Sequence, residues 1–115
     1  MKTTLENMRK ASELLTNVHY KFTINHLQIF LYIAARPDKV IETRELPDVL
    51  GLSQTTINRS IRSMADRSYI HEVGFGLLRQ SISPTDERQR IVELTPKGKQ
   101  LALQMEELIN GTTAT

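Results

Sequence analysis

The sequence predicts a mainly α-helical domain with a small antiparallel β-wing, a winged helix-turn-helix, and three observations predict it. Two short helical patterns meet at Gly51-Leu52-Ser53, a hairpin-like charged segment follows the second of them, and amphipathic helices flank the whole. With 115 residues the chain is expected to form one domain, 1–115, long enough to bury roughly two-thirds of its unfolded surface.

The elements follow in chain order. Leu5, Met8, Ala11, Leu15 and Val18 recur at three- and four-residue steps, so an amphipathic helix is expected over 3–20. A second helix starts near Ile24 and must stop before Pro37. It is apolar nearly all round (Leu27, Ile29, Phe30, Leu31, Ile33, Ala34), which marks it as the central core helix. Val40-Ile41 reads as a short strand. Thr43 is expected to cap a helix through Leu50, with Leu46, Val49 and Leu50 facing inward.

Gly51 suits the left-handed residue that ends a helix, and Ser53 suits an N-cap for the next, running from Gln54 to about Arg67. Ile57, Ile61 and Met64 form its inner stripe. A wing is expected over 70–94. Its first strand starts at Tyr69-Ile70, bends at Gly74-Phe75-Gly76 and continues through LLRQSIS; after a Pro84-Thr85-Asp86 turn, Arg90 to Leu94 returns antiparallel. Thr95-Pro96 opens a last helix over 96–110, with threonine as cap and proline at the first position. Leu101, Met105, Leu108 and Ile109 give it an apolar face.

Composition narrows the function classes. No cysteine is present, which excludes disulfides and thiolate metal sites, and fits a reducing compartment. No apolar run approaches the ~20 residues of a membrane span, and the polar N-terminus lacks the apolar core of a signal peptide, so no membrane partner is expected. His19, His26 and His71 lack metal-ligand spacing, and neither a phosphate-cradling loop nor a nucleophile elbow occurs. No cofactor, metal site or catalysis is expected.

The net charge of +2 says little by itself, but its distribution says more. Between Ser53 and Lys99 stand eight basic residues (Arg59, Arg62, Arg67, Arg79, Arg88, Arg90, Lys97, Lys99) against five acids (Asp66, Glu72, Asp86, Glu87, Glu93), a local excess of three. The face opposite Ile57/Ile61/Met64 carries Gln54, Thr55, Thr56, Asn58, Arg59 and Arg62. Gln and Asn match adenine in the major groove, Arg matches guanine, and the Thr methyl meets the thymine methyl. Ser53 and the nearby N–H groups suit a phosphate. Arg88, with Arg90 behind it, lies near the hairpin tip, where the negative potential of a minor groove attracts arginine. Asp86 is placed either to orient that arginine or to cap the turn. Double-stranded DNA is therefore the expected partner.

At these residues the sequence resembles the MarR family of winged helix-turn-helix regulators. The resemblance covers about 24–105 and rests on ELPDVLGLSQTTINRSIRSM, Tyr69-Ile70, the wing pair Asp86 and Arg88, and Leu94-Thr95 with Gly98. It implies a homodimeric transcriptional regulator on a pseudo-palindromic operator, with Gln54–Arg62 reading bases and Arg88 as the wing arginine. Repression is the expected sign, because a bound dimer of this size excludes polymerase. The implied setting is the cytoplasm of a bacterium, with the gene carried by the cell, a plasmid or a phage.

Dimerisation would depend on the terminal helices, with Leu5, Met8, Leu15 and Val18 packing against Leu101, Met105 and Leu108 of either subunit; the alternative is that these faces simply cover the core of one chain. Three departures stand out. Ser68 replaces the glycine expected before the strand, the span from Ile70 to Asp86 is long, and one short helix ends the C-terminal side. A small-molecule effector is consequently the least supported of the implied partners. Two rival readings are a plasmid or phage partition or replication protein and a winged-helix protein-interaction module.

Overall fold

The computed structural model describes residues 2–19, 21–36, 38, 40–65 and 74–110. In chain order the elements are α1 (Lys2–Val18), α2 (Ile24–Ala34), β1 (Val40–Glu42), a 3₁₀ turn (Thr43–Glu45), α3 (Leu46–Leu50), α4 (Gln54–Met64), β2 (Leu78–Ile82), β3 (Arg90–Leu94) and α5 (Pro96–Asn110). The antiparallel sheet has the order β1-β3-β2. Ile41 lies opposite Val92, and Leu78 opposite Leu94, so the sheet turns one apolar face to the helices.

That face meets α2, the core helix. Ile29, Phe30 and Ile33 are fully buried and cluster with Leu46, Ile57, Ile61, Met64, Val92 and Leu94. Each such side chain stabilises the fold by roughly 1.5–3 kcal/mol relative to exposure. The start of α2 is fixed by a reciprocal cap. The Thr23 hydroxyl oxygen accepts from the His26 N–H at 3.3 Å, and His26 Nδ1 accepts from the Thr23 N–H at 2.9 Å.

His26 is buried beside Phe22 and Phe75, and this burial, with His19 adding repulsion, holds its imidazole below the ordinary histidine range. The unfolded chain therefore takes up the proton first as pH falls below about 6.5. Stability is present above that pH and is lost as pH falls through the lower folded value. Glutamine at the same position can keep the reciprocal cap without titrating. His26→Gln should therefore flatten this part of the acid limb in chemical-denaturation curves taken from pH 7.5 downward; an unchanged slope would count against the account.

Two expectations in the next segment are corrected. Thr43 caps no helix: it lies inside the 3₁₀ turn, and its hydroxyl donates to the Arg90 carbonyl at 3.4 Å. Val49 faces outward at 54% exposure, because a five-residue α3 is too short to bury more than one side, and Leu46 takes it. Gly51 ends α3 at φ 67 as expected, its N–H bonding the Pro47 carbonyl.

The largest difference concerns the first wing strand. It does not run through Gly74–Leu77, since β2 begins at Leu78. Gly74 to Leu77 instead folds back on α4, which ends at Met64 rather than near Arg67. Ala65 is extended, so the last carbonyls of α4 lack partners within the helix. The N–H groups of Phe75, Gly76 and Leu77 satisfy them, bonding the carbonyls of Ser63, Ala65 and Met64 at 2.9, 3.1 and 2.8 Å. The bend comes at Gly76 (φ 72), while Phe75 is buried at 3% exposure. Tyr69-Ile70, Ser68, Arg67 and His71 lie outside the described residues.

α5 begins as its sequence predicts. Thr95 Oγ1 accepts from the Gly98 N–H at 3.1 Å and also donates to the Gly76 carbonyl at 2.6 Å, so one hydroxyl joins the helix start to the bend.

Candidate nucleic-acid interface

The outward face of α4 begins at a completed cap. Ser53 Oγ accepts from the Thr56 N–H at 3.1 Å and donates to Thr56 Oγ1 at 2.9 Å. Both hydroxyls are thereby engaged, and Thr56 is half-buried. Gln54, Thr55, Asn58, Arg59 and Arg62 are exposed. Gln54 Nε2 donates to Asn58 Oδ1 at 2.8 Å, one turn further on. The anchoring stripe is the expected Ile57, Ile61 and Met64, with Ser60 buried among them.

The wing tip is held by short-range bonds. Ser83 is buried; its N–H reaches the Gln89 carbonyl at 2.9 Å, and its Oγ accepts from the Thr85 N–H at 3.3 Å. Asp86 Oδ1 accepts from the backbone N–H of Arg88 at 3.0 Å, and its carbonyl accepts from the Gln89 N–H at 3.0 Å. Of the two roles open to Asp86 from sequence, the geometry is that of a turn cap, acting on the Arg88 backbone. Arg88 is exposed in the turn, and Arg90 is exposed on β3 opposite Ile82. Arg79 lies across from Glu93, with 3.5 Å between the charged groups.

One core fixes both parts: the inner residues of α4 and those of β3 belong to the same cluster. The bend at Phe75–Leu77 adds a direct link, and its importance was not legible in advance. Phe75 stacks on His19 at 4.4 Å and on Phe22 at 5.4 Å, and meets His26 edge-on at 5.0 Å. Its carbonyl accepts from Lys97 Nζ at 2.9 Å. The sequence signal that could have found it is a large aromatic between two glycines, where a solvated wing strand has no use for one.

The terminal helices pack on each other within the chain. Leu15, Leu101 and Met105 are buried there, which narrows the surface expected to meet a partner. Val18 and Leu108 are half-buried, whereas Leu5 and Met8 remain 68% and 51% exposed. A crevice of about 330 Å³ opens between the two helices and Leu77, lined by Leu14, Val18, Lys97, Leu101 and Gln104 among others. Among the described residues no group of His, Asp or Glu is arranged to hold a metal, and no helix is long and apolar enough to cross a membrane.

Three-helix packing, a capped α4 and a three-stranded sheet ending in a hairpin define a winged helix-turn-helix protein. Solved structures specify the type. The chain is similar to MepR of S. aureus in its DNA complex (TM-score 0.73, 12% identity, covering 98% of this chain and 84% of that one). It is also similar to a mutant MarR of E. coli complexed with operator DNA (0.66, 19%, 96% and 71%). A MarR transcriptional regulator from Methanosarcina mazei Go1 is a further neighbour (0.63, 20%, 96% and 73%). No protein-family model matches the sequence, and no curated protein matches it. The chain has the winged helix-turn-helix fold of the MarR-type regulators.

Proposed function

We propose that the protein is a sequence-specific DNA-binding transcriptional regulator that acts as a dimer and represses by occupying its operator. The observation that carries this reading is the outward face of α4, where Gln54, Thr55, Asn58, Arg59 and Arg62 stand exposed on a helix whose other side is locked into the core. The DNA complexes of MepR and MarR, whose folds this chain shares, support it. In this reading α4 enters the major groove and Arg88 reaches the adjacent minor groove, while Arg90, opposite Ile82 just behind the turn, contacts the backbone. The Ser53 hydroxyl hydrogen is already donated within the cap, so a phosphate at the start of α4 is met by backbone N–H groups. Exposed Leu5 and Met8 on α1, with Leu103 and Ile109 on α5, supply apolar surface for a second copy. A cytoplasmic location fits this role.

Sequences selected from a random or genomic DNA pool give the cognate site, on which variants are then titrated. Arg59→Ala should weaken binding by roughly 5- to 150-fold if it makes a bidentate base contact. Arg88→Ala should weaken it as well and shallow the salt dependence by about one phosphate equivalent. Wild-type affinity for both variants would refute the placement. A response to salt that is flat with duplex DNA would point instead to a protein partner.

A further inference from the structure

Gln54 and Asn58 are the two amide side chains on the outward face of α4, and they are already bonded to each other, Gln54 Nε2 to Asn58 Oδ1 at 2.8 Å. Both are exposed, so each amide has water as an alternative partner and the bond adds little to folding stability. Its consequence is orientation. A glutamine amide offers two N–H donors and an oxygen acceptor. With one donor committed to Asn58, Gln54 keeps one N–H and its oxygen, and its amide can turn over only by breaking that bond or by turning the Asn58 amide with it.

The major-groove edge of adenine presents a donor at N6 and an acceptor at N7, the complement of what Gln54 retains. Guanine presents acceptors at both O6 and N7, and would set its O6 against the Gln54 oxygen. Gln54 is also the first residue of α4, and the N-terminal residues of a recognition helix are those that reach base edges. Ser53 and Thr56 satisfy each other in the cap and do not compete for either amide.

We infer that Gln54 and Asn58 form a single adenine-reading unit, in which Gln54 makes the bidentate base contact and Asn58 is a positioning residue that fixes the direction of its amide. The assignment rests on the DNA-binding function proposed above. It fixes which base is read and makes the two positions act on one base pair rather than two. The two N–H groups of Asn58 stay available for a neighbouring acceptor.

The test is selection from a random duplex pool with wild type, Gln54→Ala, Asn58→Ala and the double variant, followed by titration on the selected site and its single-base changes. Unchanged thermal unfolding is expected for all variants, since both side chains are exposed. Wild type should prefer A·T at one position of each half-site by about tenfold or more. Gln54→Ala should abolish that preference, and Asn58→Ala should weaken it at the same position. The double variant should lose no more than Gln54→Ala alone. Asn58→Asp retains an acceptor for Gln54 Nε2 and should restore the preference, although its charge lowers overall affinity. Additive losses at two different base pairs, or a G·C preference at the Gln54 position, would overturn the unit while leaving the regulator reading intact. A wild type that selects no sequence and binds duplex DNA without salt dependence would overturn both.

Discussion

Phe75→Ala is expected to lower the unfolding free energy by about 3–5 kcal/mol, the range for removing a buried phenylalanine. The ring is 3% exposed and packs against His19, Phe22 and His26, so its loss leaves a void among three side chains from two other segments. Total stability for a domain of this size is of order 5–15 kcal/mol, so the change removes a large share of it. A urea titration reads the effect as a drop in midpoint at unchanged slope. A loss below about 1 kcal/mol would mean that the bend is held by its backbone hydrogen bonds alone and the ring is incidental.

Gly98→Ala is expected to destabilise by about 1–3 kcal/mol through overpacking, opposite in sign to the usual gain from replacing glycine inside a helix. A Cβ on residue 98 would drive into the carbonyl oxygen of Leu77, with the Leu94 Cβ 3.4 Å away on another side. The same carbonyl accepts from the Thr95 N–H at 3.0 Å, so any movement that relieves the clash pulls on the start of α5. Thermal unfolding decides the sign, and a raised midpoint would show that the backbone yields freely there. The contact also gives a physical reason for the Leu94-Thr95-x-x-Gly98 pattern: the α5 start lies directly against the bend.

Much of the fold was legible because its signals are local. Gly51, Ser53 and the Thr95-Pro96 pair each act within a turn of their own position, and each does in the structure what its residue type predicts. The Ile57/Ile61/Met64 stripe was equally clear, and the exposed set on α4 follows as its complement.

The failures have a common cause. Periodicity says that a face is apolar without saying what covers it: it left Leu15, Leu101 and Met105 open to either subunit, and the burial of these three where α1 meets α5 of the same chain came from the structure. Val49 looked inward for the same reason. Phe75 was placed at a kink within a wing strand, rather than in a segment folded onto α4, because nothing near it in sequence reveals that α4 ends at Met64 and leaves carbonyls to be met. Within the candidate site, the Gln54–Asn58 bond has the four-residue spacing that lets side chains meet on a helix, and that signal was available. For Asp86 the sequence left open whether it orients an arginine or caps the turn, and the choice of the cap depended on the loop geometry.

Three consecutive peptide units, Phe75 to Leu77, hold the end of α4, the Gly76 carbonyl binds the α5 cap, and β2 starts at the next residue. The direction in which the hairpin leaves the body is therefore set at its root, beside the helix it must work with. Residues added or removed around Asp86 and Arg88 would change how far the wing extends without changing where it points. Reach and aim are separate variables in this molecule, and sequence variation at the tip is free to tune the first while the second stays fixed.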